Sequence, residues 1–349
     1  YENYPLVVGT AAFYVNALQS IDKYLYTTPH ERFDDSIDRK RSKASDEEVV
    51  VVIMGETSNV DRYSAYGYST PTTPRIEKLF STENACIIDS VHSSANLTRN
   101  SVAMTFSFAT PEDESKLFTV KNVFELAKAA NRMTYWLGTQ HMEGLYSVKT
   151  AYAGKYADYY AWPGHPNGTA LTEEDDLLLA PELARILAID ERQFIVLHFS
   201  GSHLPYSSRY DEEDAAALPQ ADDYDRSIHH TDRAIAAIIE TLERSGKSYS
   251  LLYTPDHGEV VNVGHGFKGG QGEQYRIPLL MKSNLRNLCS FTESLRSKEG
   301  WLSGLSNKYI IANMLGYQFK AAIIKKEIEN DRVLHSDENV YLYHDLTRP

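Results

Sequence analysis

The sequence predicts an α/β fold, a single doubly wound and mostly parallel sheet with helices on both faces. Three observations carry that expectation. Residues 49–54 form an unbroken Val-Val-Val-Val-Ile-Met run, the kind that fills a strand covered on both faces of a parallel sheet. Apolar runs alternate with helical stretches along most of the chain, the rhythm of βαβ units. Two of the runs end directly in acidic and histidine residues, at Glu56 and at Asp256-His257, and ligands of open parallel sheets collect at such strand ends.

Residues 1–48 combine an aromatic-rich stretch, Tyr4 to Tyr26, with a charged one, Asp34 to Glu48. They read as an entry helix and linker that pack against the domain. Strand-like runs follow at 49–54, 85–91, 133–138, 193–199, 248–254 and 277–281, with helical stretches at 73–81, 97–108, 121–131, 173–189 and 222–245. In the last of these Ile228, Ala234, Ile235, Ile238, Ile239 and Leu242 recur near a 3.6-residue period. Residues 151–172, rich in Tyr, Gly and Pro, read as a long inserted loop. The α/β domain is expected to span 49–331, with 332–349 a loose C-terminal extension. There is no internal repeat.

Composition narrows the function classes. Among 349 residues the apolar fraction is 42%, with 24 Tyr and 12 Phe, ample for a large core. A formal net charge of −13 argues against nucleic acid as a partner and gives no help in binding an anionic membrane. No apolar stretch approaches the ~20 residues of a membrane span, and no signal peptide is visible. The chain begins at Tyr rather than Met, which reads as a fragment or processed form. Its two cysteines, Cys86 and Cys289, allow at most one disulfide, and a buried free thiol at Cys86 is equally open.

The residues with chemistry sit at strand ends. Asp256 and His257, in Pro255-Asp256-His257-Gly258-Glu259, are natural ligands for Zn²⁺ or a similar metal, although Asp-His-Gly is also a polar turn. Glu56, in Gly55-Glu56-Thr57, is a second such end; alone it fits a helix N-terminal carboxylate as well. In Ser93-Ser94-Ala95-Asn96-Leu97-Thr98, Asn96 is placed to cap a helix and Thr98 to lie in its first turn. A hydroxyl there feels the dipole and the free N–H groups, and metal coordination can make it a nucleophile. Plain capping, or glycosylation at the Asn96 sequon, are the alternatives. His203 occupies the loop after the 193–199 strand, His265 follows in Gly264-His265-Gly266, and His198 reads as a hydrogen-bonded core histidine.

Together these segments resemble the phosphoethanolamine transferases of Gram-negative envelopes, within the alkaline phosphatase/arylsulfatase superfamily. The resembling stretches are Gly55-Glu56-Thr57 with Arg62 and Gly67-Tyr68, then Thr98-Arg99-Asn100-Ser101, then Ser202-His203-Leu204-Pro205-Tyr206. Ser227-Ile228-His229-His230-Thr231-Asp232 and Asp256-His257-Gly258-Glu259 with His265-Gly266 complete them, in the family's order over about residues 49–282. The resemblance implies that Glu56, Thr98, Asp256 and His257 bind a catalytic Zn²⁺ and that Thr98 is the nucleophile. His203 and His265 would hold the donor phosphate, assist the leaving group or help bind a second zinc, with Asn100 also at the substrate. It further implies a phosphatidylethanolamine donor and a lipopolysaccharide or other envelope glycan acceptor, lipid A or core sugar. The chain would then be a periplasmic domain working at the surface of the inner membrane, with residues 1–48 as the bridge from a membrane part.

Three departures bear on the acceptor. The chain can form at most one disulfide, the Thr98 segment lacks flanking cysteines and carries Arg99-Asn100, and Arg226 stands where the family often has Asn. These bring it nearer the subgroup that modifies core heptose or other envelope glycans, with 151–172 as the acceptor- or membrane-facing loop. The rivals are a phosphoglycerol transferase of the lipoteichoic-acid-synthase type and a metal-dependent phosphodiesterase or sulfatase-type hydrolase. A non-catalytic metal-binding or partner-docking module is the remaining alternative. Neither cysteine has the Cys-x-Pro-x-Arg context of sulfatases.

Overall fold

A computed structural model describes residues 23–41, 47–142, 147–165, 167, 171, 173–267 and 272–346. Its main sheet has seven strands: β1 (Val49–Gly55), β2 (Ala85–Ile88), β3 (Met133–Gly138), β4 (Tyr159–Ala161), β5 (Gln193–His198), β6 (Tyr249–Pro255) and β7 (Leu279–Ser283). They lie in the order β2-β7-β6-β1-β5-β3-β4. All pairings are parallel except those of β7, which runs against both β2 and β6. The sheet is therefore mixed by one strand, as a mostly parallel, doubly wound fold allows.

β1 sits at the centre, and every one of its residues is buried. Val50, Val52 and Met54 pack on one face with Val102 and Phe106; Val49, Val51 and Ile53 pack on the other with Ile228, Ile235 and Ile239. Period-two alternation thus feeds two cores at once, which is why the run is apolar at every position. The helices that matter for the site are α1 (Pro74–Leu79), α2 (Thr98–Phe106), α3 (Val123–Ala129), α4 (Val148–Gly154), α5 (Leu179–Leu187), α6 (Glu212–Ala217) and α7 (Asp223–Ser245). The Asp222 carboxylate accepts from the Asp225 N–H to start α7, and Gly246 ends it with φ +70°.

Several expectations need correction. Residues 151–172 are not one loop: they begin inside α4 and contribute β4, which closes one edge of the sheet against β3. The C-terminal segment is packed rather than loose. Arg332–Leu334 pairs with Val340–Leu342, Tyr343 is fully buried and stacks on His92, and the Leu334 N–H donates to the Ser94 carbonyl. Aromatic side chains too few to form a core alone find one here against Tyr275 and Trp301. Residues 1–22, with the expected entry helix, lie outside the described residues. Residues 23–41 do pack on the domain: His30 bonds Glu125 through both its N–H and its ring, and Ile37–Arg41 pairs with Tyr317–Phe319. Cys86 and Cys289 form a disulfide that ties β2 to the helix Cys289–Glu293.

The quoted segment at 227–232 is structural. Asp232 accepts from the backbone N–H groups of Ile76 and Arg75 and so holds the first turn of α1. Asp214 bonds the Nδ1 atoms of both His229 and His230, and His230 Nε2 lies 3.0 Å from Asp175. Asp211, Asp214 and His230 could geometrically hold a cation, but Arg233 already bonds both aspartates. Burial alone would lower the His230 pKa; its two aspartates outweigh that and raise it to about 10. A raised histidine stabilises the fold fully below its unfolded value of about 6.5 and loses that contribution as pH climbs through about 10. The melting temperature is expected to fall between those limits by several degrees more in the wild type than in His230→Gln, measured by scanning calorimetry.

Candidate active site

The carboxyl ends of β1 and β6 lie side by side, with Gly55 opposite Pro255 in register, so Glu56 and Asp256 leave the sheet together. Both are buried, as is His257. The Asp256 Oδ1 accepts from the N–H groups of Thr57 (3.0 Å) and His257 (2.8 Å), which locks its orientation. Thr98 heads α2 and brings its Oγ1 to 3.2 Å from His257 Nε2 and 3.5 Å from each Glu56 oxygen.

The hydrogen bonds in this cluster point to a set of cation ligands. His257 Nδ1 lies 2.9 Å from the Gly258 carbonyl and must donate to it, so Nε2 carries a lone pair. That lone pair faces Asp256 Oδ2 at 3.1 Å and Glu56 Oε1 at 3.7 Å, and Asp256 Oδ2 is buried with no hydrogen bond among the described residues. An imidazole lone pair and two carboxylates meeting in a buried place are a donor set for a cation, and N plus O ligands suit Zn²⁺. Burial would raise the Glu56 carboxyl, but His257 and His203 outweigh it and bring it down to about 2. Asp256 goes the other way, pushed well above the usual carboxylate range by burial and then by the Glu56 charge. One proton or one cation must settle that pair, and the residues fit a metal.

Asn96 does not cap α2. The helix starts with Leu97 at its N-cap and no side-chain cap, while the Asn96 amide is buried and donates to Gln274 and to His335 of the C-terminal segment. Complete burial also closes the glycosylation reading in the folded chain. The first α2 N–H with a carbonyl partner among the described residues is that of Asn100. Among the described residues, free N–H groups and a hydroxyl not used in capping therefore stand at the positive end of the helix.

The remaining predicted residues divide. His203 and His265 line the same cleft as Thr98 and Glu56, a cavity of about 330 Å³, with their rings 5.6 Å apart. His203 Nδ1 donates to the Leu204 carbonyl and His265 Nδ1 to Glu259, itself held by the Tyr206 hydroxyl, so among the described residues both Nε2 atoms are left for a ligand. Asn100 is buried and accepts from Lys149 Nζ at 3.0 Å, and it is not among the residues lining the cleft. His198 is a core histidine as expected, but neither ring nitrogen has a hydrogen bond among the described residues. Burial drives its pKa down to about 4, so it is neutral.

Two residues escaped the sequence reading. Gln140, just past β3, donates at 2.7 Å to both Glu56 Oε2 and the Phe199 carbonyl and so orients Glu56. Its signal was available, since it follows a strand end on the same edge. Asp176 gave none: from a 3₁₀ turn it accepts from Thr139 Oγ1 and from the N–H groups of Ser200 and Gly201, holding the loop that carries His203. Gly201, at φ +52°, would place a Cβ 2.5 Å from the Glu56 carbonyl. Gly201→Ala is expected to destabilise the chain by on the order of 2 kcal/mol or more and to weaken metal binding. Chemical denaturation and metal analysis check both.

The family model described as Sulfatase matches residues 48–292. The putative transferase YhbX of Escherichia coli K12 is 28% identical over 242 residues, 66% of this chain and 42% of its own length. The Kdo(2)-lipid A phosphoethanolamine 7''-transferase of Salmonella typhimurium is 26% identical over 270 residues, 71% of this chain and 46% of its own. The chain thus spans less than half the length of these curated relatives. The C-terminal periplasmic domain of EcEptC from Escherichia coli superposes with a TM-score of 0.73 at 18% identity, covering 89% of this chain and 97% of that domain. The same domain has been solved in complex with Zn. The motif resemblance and the α/β fold are both upheld by these relatives.

Proposed function

Because this chain belongs to the sulfatase family, we propose that it transfers phosphoethanolamine from phosphatidylethanolamine to a lipopolysaccharide or other envelope glycan, through a phospho-threonine at Thr98. The observation that carries the reading is the meeting of Thr98 Oγ1 with His257 Nε2 and both Glu56 oxygens, within 3.5 Å, at the floor of an open cleft. The names of the relatives, among them a lipid A phosphoethanolamine transferase, support the substrate class. The periplasmic origin of the superposed domain supports a place at the periplasmic face of the inner membrane. Among the described residues no helix is long and apolar enough to cross a membrane.

Glu56, Asp256, His257 and Thr98 would hold the Zn²⁺, which when bound lowers the pKa of the Thr98 hydroxyl and stabilises charge on the phosphoryl oxygens. The chain's own residues supply the rest. The Thr98 hydroxyl gives up its proton to solvent, its oxygen attacks phosphorus in line, and the bond to the diacylglycerol oxygen breaks. That oxygen takes a proton from His203 or His265 Nε2. Free N–H groups at the start of α2 receive the developing negative charge. An acceptor hydroxyl then attacks the same phosphorus, gives its proton to the waiting imidazole and releases Thr98. Two in-line displacements give ping-pong kinetics and net retention at phosphorus.

Intact mass spectrometry tests this. The zinc-loaded chain is incubated separately with phosphatidylethanolamine and phosphatidylglycerol, with Thr98→Ala as control. A phosphoethanolamine adduct on the wild type alone is expected. A phosphoglycerol adduct would move the chain to the rival transferase class, and headgroup release to water without an adduct would make it a hydrolase.

A further inference from the structure

We propose that Arg99 reads a second anionic group, a phosphate or carboxylate that the acceptor carries beside the hydroxyl receiving the transferred group. The inference deepens the transfer reading above and rests on it for the role of acceptor. Arg99 is partly buried and lines the cleft next to Thr98, where it is the one Lys or Arg among the described lining residues. The chain holds 48 Asp and Glu against 35 Lys and Arg, yet Arg99 meets no carboxylate and donates no hydrogen bond among the described residues.

Its position is electrostatically unfavourable as well. The first turn of α2 is the positive end of the helix, and no acidic residue there offsets the guanidinium. A cation unpaired among the described residues, partly withdrawn from water and set against a dipole is stabilised by a bound anion, and the planar fork of arginine fits phosphate or carboxylate. Helix geometry separates this anion from the reacting one. Successive residues project about 100° apart, so Arg99 leaves α2 in a different direction from Thr98 while lining the same cleft. A phosphatidylethanolamine donor has a single phosphate, which belongs where Thr98 meets Glu56 and His257. The second anion therefore comes with the acceptor.

The test is calorimetric titration of the full chain with glucose 6-phosphate, glucuronate and glucose. At least one anionic sugar is expected to bind ~10-fold or more tightly than glucose, with the preference lost in Arg99→Ala and partly kept in Arg99→Lys. The two anionic arms tell phosphate from carboxylate. Equal binding of all three sugars to the wild type, or a preference that survives in Arg99→Ala, overturns the proposal. Binding needs no turnover, so a chain that takes up no adduct can lose the transfer reading while the anion site stands or falls on titration alone. Where an adduct does form, the ratio of its discharge by the preferred anionic sugar to that by glucose is expected to drop about tenfold in Arg99→Ala. An unchanged ratio would remove Arg99 from acceptor choice.

Discussion

Thr98→Ala is expected to lower turnover by about a thousandfold or more while leaving stability within about 0.5 kcal/mol. The asymmetry follows from where the hydroxyl sits. Thr98 Oγ1 takes no part in capping α2, and its contacts are with Glu56 and His257, not with the core. Its removal leaves the helix, the sheet and the buried Asn96 anchor as they were. What disappears is the atom proposed to form the covalent bond. Thr98→Ser keeps a hydroxyl at the same carbon and is expected to retain a measurable fraction of the rate. Initial rates of headgroup release and thermal unfolding of both variants check this. Full activity in Thr98→Ala would end the nucleophile assignment.

The second large effect concerns the buried donor set. Glu56→Ala or His257→Ala is expected to lose both zinc and activity, and EDTA is expected to do the same to the wild type. At a free zinc concentration 1,000 times the dissociation constant, the metal should stabilise the wild type by about 4 kcal/mol, and the variants by almost nothing. The metal-free chain carries its own signature. Asp256 is held well above the usual carboxylate range by burial and by the Glu56 charge, so replacing Glu56 removes a repulsion. The metal-free Glu56→Ala variant should therefore lose little stability relative to the metal-free wild type. Metal analysis and paired denaturation curves, with and without zinc, separate the two contributions. A variant that retains stoichiometric zinc would show that the ion binds elsewhere.

Much of this was legible in the residues. The valine run could only be a doubly covered strand, and acidic and histidine residues directly after β1 and β6 had to share one edge if those strands were parallel. Where the reading failed, a local rule met a tertiary competitor. Asn96 has the side chain of a cap, but the C-terminal His335 and Gln274 engage its amide instead. Residues 332–346 look polar and loose because their aromatic partners, His92, Tyr275 and Trp301, lie far away in sequence. The Tyr-, Gly- and Pro-rich segment hid a three-residue edge strand too short to leave a period.

The residues alone specify the layered α/β fold and the strand ends that finish in Glu56 and in Asp256-His257, while the set of Glu56, Thr98, Asp256 and His257 is what the resemblance to the phosphoethanolamine transferases implies. Period and strand-end position are local properties, written in consecutive residues. Only the tertiary structure decided that Cys86 reaches Cys289 and that Gln140 braces Glu56. It alone placed the His203 loop on Asp176 and set Arg99 in the cleft beside Thr98. Each of these is a meeting of side chains from separate elements, fixed by packing and burial, which no single stretch of chain encodes.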